Sequence, residues 1–95
     1  MTYYEAKDKL KEYQNMNFTK WVKEGLKKVE KSLDIYIKNY DDKWIYFDLK
    51  QAIYDLTIEM KAEAVTGQLS KQMNLELKNY LWSLLLVERM EENEN

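Results

Sequence analysis

Hydrophobic residues recur at steps of three and four along almost the whole chain. This spacing is typical of amphipathic α-helices, in which apolar side chains line one face. Breaks near residues 14–17, 41–42 and 66–70 divide the pattern into four stretches, so the sequence predicts four helices. Their apolar stripes are Tyr3, Ala6, Leu10 and Tyr13; Phe18, Val22, Leu26, Val29, Leu33, Tyr36, Ile37 and Tyr40; Ile45, Leu49, Ala52, Ile53, Leu56, Met60 and Ala64; and Met73, Leu77, Tyr80, Leu81, Leu84 and Val87.

Residues that favour helix ends stand at the predicted boundaries. Before the second helix, Met16 and Trp21 have the spacing of a hydrophobic staple. Gly67 suits the left-handed conformation that often follows a helix. The predicted N-caps are Thr2 (with Glu5 completing a capping box), Asn17, Asp41 or Asp42, and Ser70.

The segment IYIKNYDDKWIYF, residues 35–47, allows a second interpretation. Its β-branched and aromatic residues favour strands, and a β-hairpin turning at Asp41-Asp42 would make the fold α+β. A tight hairpin turn favours Asn-Gly or Asp-Gly, however, and the helical spacing enters the segment from both sides. We therefore predict an all-α, antiparallel bundle of about four helices, and keep the hairpin as the alternative.

The chain of 95 residues is the size of one small domain with one core. We expect a single helical domain over residues 1–92 and a disordered acidic tail at residues 93–95. The charged N-terminal stretch lacks the apolar segment of a secretory signal, and no apolar run approaches the ~20 residues that cross a bilayer. With no cysteine in the chain, these features predict a cytoplasmic protein without membrane contact.

The composition also excludes most catalytic chemistry. The chain contains no histidine and no cysteine, the commonest general base and metal ligands in proteins. Its two glycines cannot form a phosphate-binding loop. Asp48, Asp55 and Glu59 lie along one side of the third helix, where we expect a solvated edge. We predict no enzyme activity and no cofactor, metal or small-molecule ligand. The Lys-, Asn- and Tyr-rich composition suggests a low-GC bacterial or phage source.

One polar face carries a candidate nucleic-acid surface. Lysines project from the second helix opposite its apolar stripe, where they would attract phosphates. Acidic residues among them dilute this charge, and a single arginine in the chain disfavours base-specific recognition. The candidate residues are Lys20, Lys23, Lys27, Lys31 and Lys38.

The third and fourth helices each carry a second apolar stripe opposite the first. A helix that is apolar on two sides is either central in its fold or covered by a partner, and four short helices cannot make two of them central. Aromatic residues in such a stripe are typical of interface centres, although aromatic stripes also form ordinary cores. The predicted interface residues are Phe47, Tyr54, Ile58 and Val65 of the third helix, and Leu75, Trp82 and Leu86 of the fourth.

Two functional hypotheses follow. The first is a non-enzymatic protein-interaction module that self-associates, as a dimer, or docks on another protein to inhibit or regulate it. The second is a nucleic-acid-associated accessory protein that uses the lysines of the second helix.

Overall fold

A computed structural model describes residues 1–87, which form four α-helices and contain no strand. The helices are α1 (Tyr3–Gln14), α2 (Lys20–Lys38), α3 (Lys43–Thr66) and α4 (Lys71–Ser83), and a 3₁₀ turn, Leu84–Leu86, follows α4. The predicted all-α bundle is therefore confirmed. The predicted tail at residues 93–95 lies outside the described residues. No helix within residues 1–87 has the length and apolar character needed to span a membrane.

Three of the predicted caps form as expected. Thr2 and Glu5 make both hydrogen bonds of the capping box, and the Asp42 carboxylate accepts hydrogen bonds from the first amides of α3. Ser70 caps α4 in the same way. Gly67 ends α3 with φ +86°, a conformation that residues with a Cβ adopt only at a cost.

The start of α2 differs from the prediction. The N-cap is Thr19 rather than Asn17, and its hydroxyl accepts a hydrogen bond of 3.3 Å from the amide of Val22. Thr19 also donates to the Glu63 carboxylate at 2.7 Å, a tertiary contact that fixes this end of α2 against α3. The predicted staple also loses its basis, because with Thr19 as the N-cap Met16 and Trp21 no longer occupy the two positions that a staple joins.

Residues 35–47 are the junction of two helices, so the hairpin alternative is wrong. α2 ends at Lys38 and α3 begins at Lys43. Across the junction the rings of Tyr36 and Tyr46 pack with centroids 5.9 Å apart. The β-favouring side chains here thus serve as packing groups on helices, since tertiary contacts override the weaker strand propensity.

The core lies between the inner stripes of the helices, and α2 and α3 form the main contact. They approach closely at Gly25, where a Cβ atom would lie 2.6 Å from Cδ1 of Leu56. The buried apolar residues are Ala6, Leu10, Tyr13, Val22, Leu26, Val29, Leu33, Tyr36, Ile37, Leu49, Ala52, Ile53, Leu56, Met60, Leu69, Leu77, Leu81, Leu84 and Val87.

A polar cluster holds α1 against α2. The Lys7 ammonium lies 2.6 Å from Glu30 and 2.9 Å from Asp34, and Gln14 donates to Glu30 at 2.7 Å. Tyr3 donates to Asp34 at 2.6 Å. Burial alone would raise the pKa of Glu30, but the hydrogen bonds from its partners outweigh burial and lower that pKa to about 2.

Candidate protein-interaction surface

The outer side of α3 carries large apolar side chains that the described chain does not cover. The inner stripe of α3 packs into the core, so the opposite side of this 24-residue helix faces outward. We name the residues of this side the α3 outer stripe. They are Trp44 (70% exposed), Phe47 (49%), Tyr54 (52%), Ile58 (52%) and Val65 (80%).

An open groove with a volume of 420 Å³ runs along this surface. It brings together three of the residues predicted from the sequence, Phe47 and Tyr54 of α3 and Trp82 of α4. Trp82 is half-buried and packs against the core, which makes it the fixed side of the groove. Lys50 and Gln51 complete the lining together with Trp44.

Trp44 is the main residue of the groove that the sequence reasoning missed. Its ring contacts that of Phe47 edge-on, with centroids 6.4 Å apart. The residue lies three positions before Phe47 and therefore on the same helical face. Residues 44–47 also favour strands, and the predicted second stripe began at Phe47. Extending that stripe by three residues towards the N-terminus would have added Trp44.

The other predicted interface residues do not line the groove. Ile58 and Val65 continue the outer stripe towards the C-terminal end of α3. Leu75 on α4 and Leu86 in the 3₁₀ turn are exposed, but the groove does not include them. The groove is thus centred on the N-terminal half of α3.

Charged residues border the α3 outer stripe with opposite sign on its two sides. Lys43 and Lys50 follow one side, and Asp48 and Asp55 follow the other, at positions fixed by the helical repeat. All four side chains are exposed. Gln51, between them, donates to the Asp55 carboxylate at 2.8 Å.

The candidate lysines lie on α2, away from this stripe. Lys20, Lys27, Lys31 and Lys38 are exposed and Lys23 is half-buried. The ion pairs found within residues 1–87 join Lys7 and Lys11 to acids of α2 and involve none of these five. Lys20 lies over the ring of Trp21, with its ammonium 5.6 Å from the centroid.

The carboxylates of α3 differ in environment, and a hydrogen bond with the Glu63 carboxyl raises the pKa of Glu59. Asp48 and Asp55 are exposed and Glu59 is half-buried, while Glu63 is buried against the start of α2. A negative charge is favourable beside the N-terminus of a helix, so the Glu63 carboxylate is stabilised by its place next to the start of α2. Within the part of the chain described, no three acidic side chains converge in a way that would hold a metal ion.

Comparison with protein-family models, curated proteins and solved structures found no match to this chain.

Proposed function

We propose that this chain is a non-enzymatic protein-interaction module that binds its partner through the outer faces of α3 and α4. One observation carries the proposal: Trp44, Phe47 and Tyr54 stand about half or more exposed around a groove whose far side is Trp82. Aromatic side chains next to a shaped groove are the residues most enriched at the energetic centres of interfaces.

The energetics support a covered surface. Burying one large apolar side chain contributes roughly 1.5–3 kcal/mol. Covering several of these exposed side chains with a partner would therefore contribute favourably to binding. Contiguous exposed apolar patches are uncommon on proteins that act alone, and they mark binding surfaces. Because α3 already contributes its inner stripe to the core, the outer stripe is left for contact with a partner.

A matched pair of isoleucines tests the proposal. Ile58 on the outer stripe and Ile35 on α2 are 52% and 43% exposed. We expect Ile58→Asp to remain helical by circular dichroism but to lose the complexes that wild type forms, measured by light scattering and by affinity capture from host lysate. Ile35→Asp should keep them. Trp82→Asp should behave like Ile58→Asp if it folds.

Equal retention of complexes in the two isoleucine variants would refute the proposal. Unfolding of Ile58→Asp, with Ile35→Asp stable, would instead show that the outer stripe belongs to the core.

The second candidate function is sequence-independent binding of nucleic acid by α2. The favouring observation is that four of its lysines are exposed on one helix face, outside the ion pairs described above. Binding to an oligonucleotide should then weaken steeply between about 50 and 200 mM salt, as phosphate contacts require. The double variant Lys27→Glu with Lys31→Glu should abolish it, whereas Ile58→Asp should not.

A further inference from the structure

The residues along the outer side of α3 follow a seven-residue repeat. Seen from this side, positions recur alternately three and four apart, which is the spacing of the contact positions in a coiled coil. We name this row the α3 seam. Its residues are Trp44, Phe47, Gln51, Tyr54, Ile58, Lys61 and Val65.

Charged residues lie on both flanks of the α3 seam, at the positions that determine partner choice in coiled coils. In coiled-coil terms, Asp48 and Asp55 occupy the e positions, and Lys43 and Lys50 occupy the g positions. One flank is therefore acidic and the other basic over the same two repeats. The charges of two such surfaces are therefore complementary in only one relative direction of the two helices.

When two parallel copies pack along this row, each g residue meets the e residue five positions further along the other copy. Lys43 then faces Asp48 of the second copy, and Lys50 faces Asp55. Two-fold symmetry repeats both attractive pairs. In an antiparallel arrangement e residues would meet e residues and g residues would meet g residues, so that Asp would face Asp and Lys would face Lys.

We propose that the occupant of this surface is a second copy of the chain, with the two α3 helices packed in parallel along the α3 seam about a two-fold axis. This inference rests on the proposed function and specifies its partner. The groove beside Trp82 then receives aromatic side chains of the second copy. Gln51 and Lys61 each meet their own symmetry mate, and polar residues at such positions fix register at a cost in affinity.

Cysteine cross-linking tests the direction of packing, since the natural chain has no cysteine. In a parallel dimer every seam position faces its own copy. Gln51→Cys and Val65→Cys, about 21 Å apart on the helix, should therefore each form a disulfide-linked homodimer on mild oxidation. An antiparallel pair can satisfy this at only one of the two positions. Lys27→Cys, exposed on α2, serves as the control that should stay monomeric.

Charge reversal tests the flanks. Lys43→Glu with Lys50→Glu places four like-charged pairs across a parallel interface and should weaken dimerisation at least about tenfold in sedimentation equilibrium. Adding Asp48→Lys and Asp55→Lys should restore it. Lys27→Glu with Lys31→Glu changes the net charge equally but lies off the seam, so it should have little effect.

A mass of 11.6 kDa at every concentration up to millimolar, or cross-linking at neither or only one seam position, would overturn the inference. In that case the proposed function still stands if wild type and Ile35→Asp capture another protein from host lysate and Ile58→Asp does not. If Ile58→Asp loses nothing, both fail.

Discussion

Removing the charge of Glu30 should destabilise the fold by an amount that depends on pH. The Glu30 side chain is only 12% exposed and accepts hydrogen bonds from Lys7, Lys11 and Gln14. These contacts lower its pKa from 4.5 to about 2 in the folded state, and the shift corresponds to about 3 kcal/mol of stability. Glu30→Gln keeps the shape of the side chain and removes the charge.

The direction of the pH dependence follows from the lowered pKa of Glu30. The contribution is complete above the unfolded value of 4.5 and is lost as the pH falls towards about 2. Urea unfolding monitored by circular dichroism should give a difference between wild type and Glu30→Gln of about 2–3 kcal/mol at neutral pH, roughly halved near pH 3. Glu24→Gln, at an exposed position of the same helix, should stay within about 0.5 kcal/mol of wild type at both pH values. A wild-type advantage that does not change between neutral pH and pH 3 would refute the role assigned to Glu30.

Two further predictions concern the glycines. Gly25→Ala gains about 1 kcal/mol of helix propensity but drives a Cβ into Leu56. In chemical denaturation, Leu56→Ala should therefore cost at least about 1 kcal/mol less in the Gly25→Ala background than alone, and strictly additive effects would contradict the close approach of α2 and α3. Gly67→Ala should lower stability by about 1 kcal/mol in thermal unfolding because its φ of +86° strains any residue with a Cβ. Gly67→Asn should cost less, and equal stability of all three proteins would argue against this helix end.

Hydrophobic spacing predicted the helices and the core because it depends only on which face of each helix is buried. Most caps were equally predictable from the sequence, since Thr2, Asp42 and Ser70 accept hydrogen bonds from amides in the first turn of their own helices. The start of α2 was not, because Asn17 and Thr19 are both good caps two residues apart. Thr19 has a tertiary partner in Glu63, a residue 44 positions away, to which its hydroxyl donates a hydrogen bond.

The same distinction applies to the candidate surface. The stripe from Phe47 to Val65 was visible in the sequence because it repeats along one helix. The groove was not, because it depends on how α4 places Trp82 beside α3. The cluster around Glu30 was also hidden, since its charges come from two helices whose relative register only the packed structure defines.

The central claim, that the outer side of α3 is a covered binding surface, is tested most directly by hydroxyl-radical footprinting of two tryptophans in one protein. Trp44 lies on the α3 seam and is 70% exposed, while Trp21 on α2 is 62% exposed and serves as the internal control. In dilute purified protein both should react to a similar extent. At high protein concentration, or in host lysate, the account predicts that Trp44 becomes protected while Trp21 stays reactive. Unchanged reactivity of Trp44 under both conditions would contradict it.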